Sequence, residues 1–361
     1  MTLTEMQKGA LLSGRLPKGC ELCAQGSKLV LLVTGLCTAA CYYCPLSEAK
    51  RGRDVVYANE LRVRRWADVR AEAEKIGAEG AGITGGDPLA VMRRTCAYVR
   101  MLKHTFGSDF HIHLYTATAD PARVRALARA GVDEVRFHPP LEIWARLSES
   151  RFPEAISMGY REGMSVGVEI PSIPGLEKET RALLRSLADT EVEFVNLNEL
   201  EFSYTNWRAL RDLGHEPRDD VSSGVRWSEQ LARRLVKGWK GDFALHYCSA
   251  SFKDAVQLRN RLLRRAQRVA LPSDIISKDG TLIKGIIETS EPARLRRLLI
   301  QRYSIPPELI RTDRAKRRLE IAPWILEELA THIGYRSFII EEYPTADRLE
   351  VERSPLGANK D

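Results

Sequence analysis

Residues 28–44 read KLVLLVTGLCTAACYYC. The apolar run from Leu29 to Val33, broken at Thr34 and followed by Gly35, is too short for a helix core and suits a strand buried on both faces. We read a strand over 28–36. Directly behind it come Cys37, Cys41 and Cys44, a C-x3-C-x2-C pattern on one short loop. In sheets of parallel strands, chemistry gathers at the carboxyl ends of the strands. Three thiols in that position point to a metal centre. A structural zinc site is normally closed by four ligands. A [4Fe–4S] cluster held by three cysteines leaves one iron open to another ligand.

The same rhythm continues downstream. GAGITGG at 80–86, DFHIHLYTAT at 109–118, DEVRFHPP at 133–140, MSVGVEIPSIPG at 164–175 and VEFVNLNELEF at 192–202 each read as a strand. Helical sequence joins them. Leu61, Trp66, Val69, Ala73 and Ile76 mark an amphipathic helix over 58–76. Asp120-Pro121 opens another helix with an N-cap and a proline in the first turn. Six strand–helix units imply a parallel α/β sheet with right-handed crossovers, open or curled toward a barrel. Eight units would close a full barrel.

The cysteine pattern resembles that of the radical S-adenosylmethionine (radical SAM) superfamily, and Tyr43, an aromatic directly before the third cysteine, matches it too. Thr84-Gly85-Gly86-Asp87-Pro88, closing the second strand, resembles the family's Gly-Gly-Glu-Pro segment, with Asp87 in place of Glu. The resemblance covers about residues 28–205 and implies an α/β fold, a partial (β/α)6 barrel of the radical SAM type, with a small α+β domain appended. It implies that Cys37, Cys41 and Cys44 hold a [4Fe–4S] cluster whose open iron chelates SAM. It further implies that Thr84, Gly85, Gly86 and Asp87 receive the methionine end through the backbone. An electron from the cluster then cleaves SAM, and the 5′-deoxyadenosyl radical takes hydrogen from a substrate. Among strand-end residues, Arg136 suits the SAM carboxylate. Glu169, Asn196 and Asn198 suit ribose or substrate, and Tyr43, Tyr115, Thr116 and His138 would line the site. A ferredoxin- or flavodoxin-type donor would supply the electron.

Five of the seven cysteines lie between Cys20 and Cys44, and an odd count in a chain of 361 residues argues against a disulfide framework. Cys20 and Cys23, with Cys248 far downstream in HYCS, form a second group. Three readings of it stay open: a second Fe–S cluster, a structural zinc, or thiols that include a catalytic Cys248. Uniting them requires the 241–250 strand to return beside the N-terminal segment. The start of the chain lacks a charged segment followed by an apolar core, and no run reaches the roughly 18 apolar residues of a membrane span. These features lead us to expect a cytoplasmic protein without membrane contact.

Four domains follow from the pattern. Residues 1–27 form an N-terminal cysteine-bearing segment, 28–205 the radical SAM core, 206–271 an irregular extension with a basic helix, and 272–361 a small α+β domain. The basic helix, 254–270, carries Arg259, Arg261, Arg264, Arg265 and Arg268 against Asp254. With a net charge of +7, it permits RNA as a substrate. The chain also resembles a group related to the activating enzyme of pyruvate formate-lyase, which implies a partner protein instead. A metal- or cluster-binding protein without turnover is the third reading.

Overall fold

The computed structural model describes residues 2–357. The chain divides into two compact units: Met1–Glu74 with Ala78–Leu258, and Lys75–Gly77 with Arg259–Asp361.

The larger unit begins with β1 (Leu3–Glu5), β2 (Leu11–Ser13), α1 (Lys18–Ala24) and β3 (Lys28–Leu32). There follow β4 (Tyr57–Ala58), β5 (Leu61–Arg62), α2 (Trp66–Ile76), β6 (Gly80–Thr84), α3 (Met92–Phe106), β7 (His111–Thr116) and α4 (Pro121–Ala130). Next come β8 (Glu134–Phe137), α5 (Phe152–Arg161), β9 (Ser165–Ser172), α6 (Glu177–Ala188) and β10 (Phe194–Glu199). The unit closes with α7 (Trp207–Asp212), α8 (Ser228–Gly238), β11 (Ala244–Cys248) and a single turn, α9 (Ala250–Phe252). A π-helical turn, Lys253–Leu258, follows α9.

The six expected strands form in order as β3, β6, β7, β8, β9 and β10, each parallel to the next. Helices cover them, as a parallel sheet buried on both faces requires. The local signals act as read: in α4, the Asp120 side chain accepts from Ala122 N and Arg123 N, Pro121 opens the helix, and Gly131 ends it at φ 108°.

Three features depart from the sequence reading. The sheet does not stop at six strands, because β11 adds in parallel to β10 and β2 then pairs antiparallel with β11, Leu245 opposite Ser13. Residues 3–5 and 11–13 of the N-terminal segment are therefore part of the sheet, and the 241–250 segment does return beside them. The helix expected from 58 starts only at Trp66. Asn59, at φ 49°, turns a hairpin that puts Leu61 in β5, and the Asp68 carboxylate caps the helix by accepting from Arg64 N and Arg65 N. The basic stretch begins as a π turn rather than as a regular helix.

The smaller unit holds α10 (Arg259–Val269), β12 (Ile275–Ile276), β13 (Leu282–Glu288), α11 (Pro292–Tyr303), β14 (Ile310–Asp313), β15 (Arg318–Ile321), α12 (Pro323–Ile333), β16 (Ser337–Glu342) and β17 (Glu350–Leu356). Its strands run antiparallel in the order β14-β15-β13-β16-β17, with β12 beside β13. Ile287, Leu295, Leu299, Ile310, Leu319, Ile321 and Leu326 form its apolar core. In α10, Arg265 is buried with Leu262 and Ala266, and its guanidinium donates to the Pro344 carbonyl. Of the arginines of the basic helix, this one is committed inside its own unit rather than presented to a phosphate. Among the described residues, no helix is long and apolar enough to cross a membrane.

Candidate active site

The carboxyl ends of β3, β6, β7, β9 and β10 surround a cavity of about 750 Å³, a size suited to a cofactor-scale ligand. Its wall brings together Cys37, Cys41, Cys44, Tyr43, Thr84, Gly85, Gly86, Tyr115, Thr116, His138, Glu169 and Asn198. The sequence had singled out all of these.

The cysteine loop lies close against the exit of β6. Gly86 N donates to Thr34 O and Asp87 N to Leu36 O, each at 2.7 Å. A Cβ on Gly85 would meet the Thr34 carbonyl, and one on Gly86 the Leu36 carbonyl, so both positions need glycine. The Gly86 and Asp87 amide protons are thus committed to the loop. Asp87 is 2% exposed. Its carboxylate accepts from Leu89 N, Thr116 Oγ1 and Thr118 Oγ1. Its side chain fixes the turn and does not line the cavity.

Tyr43 and His138 form the next layer. His138 Nδ1 lies 2.7 Å from the Glu169 carbonyl, which only accepts, so Nδ1 carries the proton. Nε2 then accepts from the Tyr43 hydroxyl at 2.9 Å. From the other side Asn206, fully buried, donates to Tyr43 O and Glu201 O while its Oδ1 accepts from Ser203 N. The loop is thus clamped from two directions.

The cysteine sulfurs share one wall but do not meet at a point. Among the described residues, no three His, Cys, Asp or Glu side chains are gathered closely enough to hold a metal ion as they stand. Burial pushes the Cys37 thiol up, and the charges of Asp87, Cys41 and Cys44 add to the shift. Burial likewise raises Cys41. Neighbouring soft donors that resist charging beside one another are what a cation would deprotonate and draw in. The donor set, on a loop of eight residues held at both sides, fits a cluster bound through three thiolates.

Arg136 and Asn196 are elsewhere than expected. Arg136 is 2% exposed and does not line the cavity. It is paired with Glu134 and with Glu169 at 2.8 Å, and it donates to Cys20 Sγ. With its guanidinium so committed, it is not placed to take a SAM carboxylate. Asn196 is buried beside it, donating to Glu169 and Cys20 Sγ and accepting from His246 Nδ1. Glu169 is the group that reaches both Arg136 and the cavity. Burial opposes its charge, but Arg136, Asn196 and Asn198 hold its carboxyl at about 2.

Of the second thiol group, Cys23 and Cys248 come to the same side chain, Gln257. Cys23 Sγ donates to Gln257 Oε1 at 3.1 Å, and Gln257 Nε2 approaches Cys248 Sγ at 3.5 Å. Cys20 accepts from Arg136 and Asn196 instead. Each thiol has its own protein partner. Burial pushes the Cys20 and Cys248 thiols up.

Sequence reading missed Lys253, Glu201 and Asn206. All three lie just past the strand ends of β10 and β11. The signal for Lys253 was Ser249, whose Oγ caps the turn after β11 and so places the next residues at the cavity.

A family model described as the radical SAM superfamily matches residues 31–187, and one described as a domain of unknown function matches residues 280–356. The chain is 38% identical to a Methanocaldococcus jannaschii protein that carries the provisional name glycyl-radical enzyme activating enzyme, over 96% of this chain and 94% of that one. It is 29% identical to a Methanopyrus kandleri protein provisionally named GTP 3′,8-cyclase, over 51% of this chain and 62% of that one. Among solved structures, methylornithine synthase is similar at a TM-score of 0.38 and 15% identity, over 53% of this chain and 63% of that one. The chain belongs to the radical SAM superfamily, in one family with the Methanocaldococcus jannaschii protein, and is an enzyme whose cofactors are a [4Fe–4S] cluster and S-adenosylmethionine.

Proposed function

We propose that this enzyme activates a partner protein by taking a hydrogen atom from a glycine of its backbone. The observation that carries the reading is the 38% identity, across 94% of its length, to a protein named as an activating enzyme of glycyl-radical enzymes. With the cluster and SAM bound, reductive cleavage of SAM supplies the carbon radical that takes the hydrogen.

The chain's own residues divide the work. Cys37, Cys41 and Cys44 hold the cluster. The Gly85 and Gly86 carbonyls receive the methionine ammonium, and Thr84 and Tyr43 bound that end of the cavity. Glu169, kept ionised by Arg136 and Asn198, accepts from the ribose hydroxyls. Asn206 and His138 keep the loop in place. Cys20, Cys23 and Cys248 enter this reading as thiols rather than as a second metal site, because Gln257, Arg136 and Asn196 already satisfy them. A small ferredoxin- or flavodoxin-type protein delivers the electron.

The wall's carboxylates, Glu169, Glu199 and Glu201, are paired with Arg136, Arg218 and Lys253, so the cavity offers no row of free cations to a polyanion.

The test is anaerobic incubation of reconstituted enzyme, SAM and reductant with a glycyl-radical-type polypeptide. The expected result is a carbon-centred radical on the polypeptide and one 5′-deoxyadenosine per radical formed. Formation of 5′-deoxyadenosine only with RNA would overturn the reading.

A further inference from the structure

Part of the cavity wall is not taken up by the residues assigned to the cofactors. Glu199, Leu200, Glu201, Phe202, Ser203 and Lys253 form it. Lys253 arrives there through an unusual backbone. β11 ends at Cys248, Ser249 Oγ accepts from Phe252 N, and the chain then enters the π turn at Lys253. Such turns add a residue to a helical repeat and are frequent at functional sites.

An ammonium carries three protons. Glu201 Oε1 takes one from Lys253, and among the described residues no other side chain or carbonyl takes the remaining two. The Lys253 side chain is 31% exposed. Asn198, on the same cavity, donates an amide proton to Glu169 Oε1 at 2.9 Å. Its Oδ1 has no protein partner among the described residues. The cavity therefore offers unspent donors on Lys253 and an unspent acceptor on Asn198.

The charges decide what fits. Glu201 already neutralises Lys253, and Glu169 lies on the same wall. An incoming carboxylate would have to compete with Glu201 for the one ammonium. A neutral amide meets no such opposition, and each backbone unit carries one C=O and one N–H.

We infer that this part of the cavity binds the backbone of a substrate polypeptide, with Lys253 donating to a peptide carbonyl and Asn198 Oδ1 accepting from a peptide N–H. The inference rests on the protein-substrate reading above and narrows it to neutral backbone rather than a charged side chain or a free acid. A glycine suits the place, since nothing beyond Cα keeps its backbone from approaching these groups.

The probe is a capped tripeptide with glycine at its centre, titrated by calorimetry into the full chain. The variant is K253M/E201Q, which removes both charges together and orphans neither; Asn198→Ala is the independent second variant. Each should weaken peptide binding about tenfold, and acetate should not compete. The inference is overturned if the wild type does not bind the peptide, if both variants bind it as the wild type does, or if acetate displaces it. The parent reading fails separately. If the peptide binds but deuterium on its glycine Cα never appears in 5′-deoxyadenosine, the activating role falls and the peptide site stands.

Discussion

Two buried charge networks, one in each unit, are built on opposite plans. In the larger unit Arg136 joins Glu134 to Glu169, and Glu169 opens onto the cavity. In the smaller unit Lys284, Arg318 and Arg348 converge on Asp313, Glu320 and Glu342. There each carboxylate meets at least two cations, and Lys316 and Arg311 add further pairs at the rim. The second network answers itself. The first has one member left facing a ligand. A closed network can only hold a fold together; an open one can also respond to what binds.

The largest effect should come from the site alone. Cys41→Ala should reduce SAM cleavage to background, measured as 5′-deoxyadenosine, with circular dichroism unchanged. Next comes a matched pair. Arg136→Met and Arg318→Met each strand buried carboxylates, and each should cost about 3–5 kcal/mol in urea unfolding. Only Arg136→Met should also weaken SAM binding, because Glu169 loses the partner that fixes it. Equal loss of SAM binding in both would break the comparison.

Acid should separate the networks more gently. Burial, with Arg136 adding, pushes His246 down to about 4 from its ordinary 6.5. Its unfolded form takes a proton at a pH where the folded form does not, so stability is full above about pH 6.5 and falls toward pH 4. Burial works against Glu342, but Lys284 and Arg318 hold it at about 2 against an ordinary 4.5. That contribution is full above about pH 4.5 and is lost as pH falls toward 2. Hydrogen exchange followed by region should therefore show the larger unit loosening first. The smallest effect belongs to the surface. Arg70 and Glu74 are 62% and 50% exposed, and Arg70→Ala should change stability by no more than about 0.5 kcal/mol.

The parallel strands were legible because each is an apolar run with a polar residue at its carboxyl end, and the thiol pattern marked the first of them. The β14–β15 hairpin was not. Arg311, Asp313, Arg318 and Glu320 alternate with Ile310, Leu319 and Ile321, and the charged face points into a buried ionic cluster rather than into water. Charge alternation alone cannot tell those two surroundings apart. Arg136 misled for a related reason: a cation near a strand end reads as an anion site until its Glu134 and Glu169 partners are seen. Lys253 and Asn206 were hidden because their positions depend on a capped turn and on a loop fold, not on periodicity. The association of Cys23 with Cys248 required the register of β2 on β11.

The most direct test of the account reconstitutes the cluster without oxygen, reduces it, adds SAM, and measures 5′-deoxyadenosine for the wild type and for the Cys37/Cys41/Cys44→Ala chain. The account predicts product from the first and none from the second. Equal yields from both, or none from a wild type with a filled and reducible cluster and a bound peptide, would contradict it.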